Sequence, residues 1–203
     1  MVYLECLLWS RYKYSLLLLM QHLSKSHLSF LTCAARSAEP MYIQDLVELA
    51  QAASWDVYVI ATPQATKFID IPLLEKLTGH SIRVEYRHPE EPEILPKANA
   101  IIVAPTTFNT LNKWALGITD ILALGILCEN TGLGTPIVAI PCVPSQSLAR
   151  HSAFCKSINS LKEDGVHVLY EPEKYPPMNN VPWEVTLQVL DDLFVLQETE
   201  GVY

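Results

Sequence analysis

Four short stretches of this sequence place hydroxyls, amides or small residues directly after apolar runs: Ala34-Ala35-Arg36, Thr62-Pro63-Gln64, Pro105 to Thr110 and Pro141 to Gln146. In an α/β chain each would be the loop at the carboxyl end of a strand. A helix opening there offers backbone N–H groups with no intrahelical acceptor and the positive end of its dipole. A phosphate can sit on such an end without a glycine-rich loop. The same residue types also serve as plain helix caps, so each loop alone supports a binding reading and a capping one.

The sequence excludes several other chemistries. Its glycines (Gly79, Gly117, Gly125, Gly132, Gly134, Gly165 and Gly201) form neither GxGxxG nor GxxxxGK, so a standard dinucleotide fingerprint and a P-loop are both absent. There is no GxSxG elbow, which argues against an α/β-hydrolase. The 6 histidines show no HExxH or HxxxH spacing, and no metal site is expected. Cys6, Cys33, Cys128, Cys142 and Cys155 are odd in number and never CxxC, so they read mostly as small buried hydrophobes of a chain kept in a reducing compartment.

These loops need a scaffold, and 203 residues with 50% apolar content suffice for one well-filled domain. Strands are expected at Leu28 to Cys33, Asp56 to Ala61, Ile82 to Tyr86, Ala100 to Ala104, Pro136 to Ile140 and Val166 to Tyr170. Helices are expected over Ile43 to Ala53, Thr62 to Thr78 with an interruption near Pro72 and a stop at Gly79, Asn109 to Leu127, Ser147 to Lys162, and Trp183 to about Gln197. Arg87 to Pro96 and Glu171 to Pro182 are proline-rich loops. Strands alternating with helices make a parallel α/β sheet covered on both faces, with ligands expected at the carboxyl ends of its strands.

A net charge of -8 argues against nucleic acid as a partner. Residues 1–37 carry Arg11, Lys13, Lys25 and Arg36 against Glu5 alone, yet the apolar run Leu16 to Met20 is too short to span a bilayer. With Glu5 upstream of that run an export signal is not favoured. Residues 1–27 are expected to form an N-terminal extension, 28–203 the domain, and the chain to be cytoplasmic.

Residues 104–120 read A-P-T-T-F-N-T-L-N-K-W-A-L-G-I-T-D. This stretch resembles the flavin-containing cysteine decarboxylases, among them phosphopantothenoylcysteine decarboxylase and the lantibiotic decarboxylases, whose signature is P-A-S-A-N-T-x-x-K followed by A-x-G-x-x-D. Pro105, Asn109, Thr110, Lys113, Ala115, Gly117 and Asp120 match, and Thr107 stands for the serine. The resemblance implies a single-domain Rossmann-like (flavodoxin-like) fold and bound FMN. It assigns FMN contacts to the first loop (Ala34, Ala35), to Thr62 and Gln64, to Thr107, Phe108, Asn109 and Thr110, and to Cys142. It implies a catalytic histidine ahead of the AIIVA strand, for which His88 is the candidate base; an ordinary loop histidine is the other reading.

The resemblance further implies a flavin site built between subunits of a trimer, and WALGITDILALGIL is apolar enough either to cover such an interface or to lie in the monomer core. One departure bears on activity. The family's P-x-M-N-x-x-M-W loop, whose asparagine grips the substrate carboxylate, corresponds to Pro141 to Gln146, with Pro144 at the asparagine position. Only Gln146 or Arg150 stands near enough in sequence to compensate. The expectation is an FMN-dependent decarboxylase or oxidoreductase acting on a small thiol- or carboxylate-bearing substrate. A non-catalytic flavin-binding subunit is the alternative, as is, less favoured because the first loop lacks glycine, a flavin prenyltransferase-like enzyme.

Overall fold

The structure, a computed structural model, describes residues 27–32, 41–88, 90, 92, 95–143, 145–173 and 183–200. Its strands are β1 (His27–Thr32), β2 (Asp56–Ala61), β3 (Ala100–Thr107), β4 (Ile137–Cys142) and β5 (His167–Val168). Its helices are α1 (Met41–Ala52), α2 (Ile71–Thr78), α3 (Phe108–Ala115), α4 (Leu122–Gly132), α5 (Gln146–Ala149), α6 (Ser152–Glu163) and α7 (Trp183–Glu200). The five strands form one sheet in the order β2-β1-β3-β4-β5, every pair parallel. Strand order reverses between β1 and β3, the position at which doubly wound sheets open a crevice for a ligand.

Burial on both faces explains why AIIVA is apolar throughout. Ile101 and Val103 turn to one face with Ile137 and Ala139, under Leu111 and Trp114 of α3, Leu124 and Leu127 of α4, and Phe154 of α6. Ala100, Ile102 and Ala104 turn to the other with Val138 and Ile140, under Leu46 and Val47 of α1 and Leu187 and Leu190 of α7. This period-two alternation between two filled layers is what a central parallel strand requires. Leu124 and Leu127 are fully buried, so cutting either to Ala should cost about 2–5 kcal/mol.

Several elements differ from the sequence reading. The segment after β2 is a short 3-10 turn at Ala65–Lys67 followed by α2, not one interrupted helix. Asp70 caps α2, accepting from Leu73 N–H at 3.1 Å, and Pro72 sits in the first turn, where its missing N–H costs nothing. Gly79 ends α2 at φ 75 as expected. Ile82 to Tyr86 is not a strand: Arg83 makes a single bridge to Ile60, and the chain then leaves the sheet because Tyr86 is held elsewhere. β5 is only two residues long.

The largest correction lies beyond AIIVA. β3 continues to Thr107, with a register irregularity against β4 between Val103 and Thr106, where Pro105 has no N–H for the ladder. The helix expected to reach Leu127 is two helices, α3 and α4. Ser147 to Lys162 likewise divides into α5 and α6, because His151 caps a new helix start. The cysteines described are less buried than expected: Cys155 is exposed, Cys128 and Cys142 half-buried. Burial pushes the Cys128 thiol up from its ordinary pKa, as a poorly solvated thiolate requires. Residues 1–26 lie outside the described residues.

Candidate functional site

At the carboxyl end of β3 the strand passes into α3 without a loop. Thr106 is buried and its hydroxyl donates to Val103 O at 2.7 Å. Thr107 is the N-cap of α3, its Oγ1 accepting from Thr110 N–H at 3.3 Å and lying 3.0 Å from Thr110 Oγ1. Thr110 is itself buried, so its hydroxyl is spent inside the cap. Asn109 therefore does not cap. It is exposed in the first turn, and among the described residues its amide has no hydrogen-bond partner. The backbone N–H groups of Phe108 and Asn109 also lack intrahelical acceptors, as every helix start leaves them.

Neighbouring strands complete this edge. Cys142 closes β4 directly beside Thr107 in the parallel register. After β2, Thr62 is buried and its Oγ1 accepts from Ala65 N–H at 3.3 Å. Gln64 is exposed, with its Oε1 accepting from Lys67 Nζ at 2.8 Å. Ser145 caps α5 by accepting from Leu148 N–H at 3.3 Å. Phe108 does not stand over this edge as a free ring. It packs on Phe154, with centroids 6.3 Å apart, and edge-to-face on His151 at 5.7 Å. Ala34, Ala35 and Pro144 lie outside the described residues.

Part of the matched motif builds a corner of the fold. Gly117, at φ 67, follows the C-cap of α3; Gly117 N–H donates to Trp114 O and Ile118 N–H to Lys113 O, both at 2.9 Å. This is a Schellman stop, which glycine at that position favours. Lys113 pairs with Asp120 across the turn. Tyr86 docks on the same corner, its hydroxyl 3.2 Å from the carbonyls of both Thr119 and Ile121. A Cβ at Gly125 would come within 2.3 Å of that hydroxyl, which accounts for a glycine inside α4. His88 is exposed two residues beyond Tyr86. The packing role of Gly125 is not readable from the glycine pattern, and an isolated glycine in a helical run is the only signal the sequence offers for it.

The edge thus offers hydroxyls, two side-chain amides, helix-start N–H groups and a thiol, and no carboxylate at any of these positions. Such a set fits a ligand with a phosphate and the polar rim of a heteroaromatic ring. Among the described residues no helix is long and apolar enough to cross a membrane.

Fold and edge together define a doubly wound α/β domain with these hydroxyls, amides and helix starts gathered at the strand reversal. The Flavoprotein family model matches residues 19–191, so the chain belongs to that family. Among curated proteins, the coenzyme A biosynthesis bifunctional protein CoaBC of Bacillus subtilis (strain 168) is 28% identical over 134 residues, 63% of this chain. The match covers 32% of that relative, so the chain spans about a third of its length. The FMN-dependent cysteine decarboxylase SpaF shares the fold at TM-score 0.65 and 20% identity, over 84% of this chain and 98% of that one. The cypemycin decarboxylase CypD does so at TM-score 0.67 and 19% identity, over 89% and 99%. The peptidyl-cysteine decarboxylase EpiD does so at 0.65 and 20%, over 82% and 99%.

Proposed function

We propose that this protein binds FMN at the carboxyl edge of β1, β3 and β4 and uses it as a decarboxylase or oxidoreductase on a small thiol- or carboxylate-bearing substrate. The observation that carries this reading is the exposed amide of Asn109, unpartnered among the described residues, beside the first N–H groups of α3 at the strand reversal. FMN, when bound, supplies a two-electron acceptor. Thr62, Gln64, Thr107, Phe108 N–H, Asn109 and the Cys142 end of β4 are the groups assigned to hold it. Ala34 and Ala35 belong to the same assignment by resemblance. Thr110 contributes through the cap, keeping Thr107 and the helix start in place. His88 is the candidate proton acceptor, on a segment fixed by the Tyr86 contact with the α3–α4 corner.

The names of the structural neighbours support decarboxylation over other flavin chemistry. A second reading, a flavin-binding subunit without turnover, is favoured by Pro144, which offers no side-chain donor where the family has an amide. Anaerobic mixing of the FMN-loaded protein with a panel of small mercapto-acids separates the two. Flavin bleaching with release of carbon dioxide supports the enzyme; bound flavin that no member of the panel reduces supports the silent subunit.

The proposal extends to a cytoplasmic homotrimer or a multiple of one. Leu116, Ile118 and Leu133 are 74%, 40% and 55% exposed at the ends of α3 and α4, and an apolar surface of that kind suits an interface. Light scattering of the flavin-bound protein tests it, and a monomer refutes it.

A further inference from the structure

We propose that His151 supplies the N–H that binds an anionic oxygen of the substrate, a carboxylate, at the mouth of the site; this rests on the flavin reading above. α3 and α6 lie side by side with their first turns at the same edge of the sheet. Phe108, the first residue of α3, meets His151 edge-to-face, and deeper between the helices Ser157 Oγ donates to Asn112 Oδ1 at 2.7 Å. His151 is thus held next to the Thr107–Asn109 start of α3.

Its chemistry is set by its place as N-cap. Ala153 N–H donates to His151 Nδ1 at 3.1 Å, so the Nδ1 lone pair is occupied and the neutral ring carries its proton on Nε2. The ring is exposed, and among the described residues Nε2 has no partner. The cap therefore does two things at once: it starts α6 and fixes an outward N–H donor. Few other donors are available on this side of the site. The Ser145 hydroxyl accepts from Leu148 N–H and lies 2.9 Å from Ser147 Oγ, which is placed to take its proton. Arg150, exposed and adjacent in sequence, is the rival donor.

The test uses His151→Asn, since asparagine caps helices well but has no group at the Nε2 position. The FMN-loaded protein is titrated with mercaptoacetate, read by the change in flavin absorbance, with 2-mercaptoethanol as the uncharged control. The variant should keep the wild-type melting temperature of the apo protein and the wild-type FMN affinity. Its mercaptoacetate affinity should fall roughly ten-fold, the low end for a hydrogen bond to a charged group at an exposed position. 2-Mercaptoethanol should bind both proteins alike.

Unchanged mercaptoacetate affinity overturns the proposal, as does a wild-type flavin spectrum that mercaptoacetate does not perturb. Loss in Arg150→Gln with none in His151→Asn assigns the donor to Arg150 and overturns it too. Weakened FMN binding in His151→Asn makes the residue a cofactor ligand, again against the proposal. Failure of the wild-type protein to take up FMN is a separate result and defeats the flavin reading itself.

Discussion

Replacing Asn109 with Ala separates a ligand-binding role from a structural one, because the structure has already assigned the cap to Thr107. The Asn109 amide is exposed and makes no hydrogen bond among the described residues. Its removal should leave folding stability within about 0.5 kcal/mol, and Ala's better helix propensity could raise it slightly. Once FMN covers the edge, the same amide becomes a partly buried partner of the ligand. Deleting it then leaves a ligand group unpaired, at about 1–3 kcal/mol. At about 1.4 kcal/mol per tenfold, FMN affinity should fall roughly five- to a hundred-fold. Flavin fluorescence titration and thermal melting of the apo protein, on the same preparation, read the two effects. Unchanged FMN affinity in Asn109→Ala would refute the assignment of this edge as the flavin site.

Three other substitutions probe the framework. Thr107→Ala should lower apo stability by about 0.5–2 kcal/mol through loss of the α3 cap, measured by urea unfolding, while Thr107→Ser should restore most of it. Gly125→Ala gains up to about 1 kcal/mol of helix propensity but drives a methyl against the Tyr86 hydroxyl. It should therefore stabilise the Tyr86→Ala protein more than the wild type, and a double-mutant cycle showing no coupling would deny the contact. Asp191 has its pKa raised, chiefly by burial; the Trp55 indole N–H, 3.3 Å away, opposes the rise and the Asp192 charge adds to it. A carboxyl with a raised folded pKa binds more protons folded than unfolded, so its contribution is most favourable in acid and declines as pH rises through that pKa. Asp191→Asn, still able to accept from Trp55, should stabilise the protein at pH 7 by less than about 1 kcal/mol and flatten that decline in melting-versus-pH curves.

The sheet was legible because a central parallel strand must be apolar at every position, as AIIVA and PIVAI are, and because DVYVIA, at the sheet edge with Asp56 and Tyr58 half-buried, is still rich in β-branched residues. Helix boundaries were harder to read. Gly117 marks a stop in WALGITD, but the apolar residues on both sides continue a helical pattern, so the Schellman turn and the Lys113–Asp120 pair emerged only in three dimensions. The Ile82 to Tyr86 run has strand composition, yet the long-range docking of Tyr86 on α4 overrides it. At the site, residue types and strand ends were readable while roles were not. Thr107 and Asn109 are both competent caps by sequence, and only the geometry assigns one to capping and leaves the other facing solvent. His151 is not legible as a donor in the sequence, because a histidine's tautomer and its neighbours are properties of the fold.

The central claim is that the carboxyl edge of this sheet holds FMN. Equilibrium titration of the apo protein with FMN, riboflavin and FAD tests it most directly. The account predicts saturable binding of one FMN per chain, with riboflavin weaker because it has no phosphate for the helix starts, and with binding lost in the Asn109→Ala, Thr107→Ala double variant. A folded wild-type protein that takes up no FMN, or binds it no better than that variant does, would contradict it.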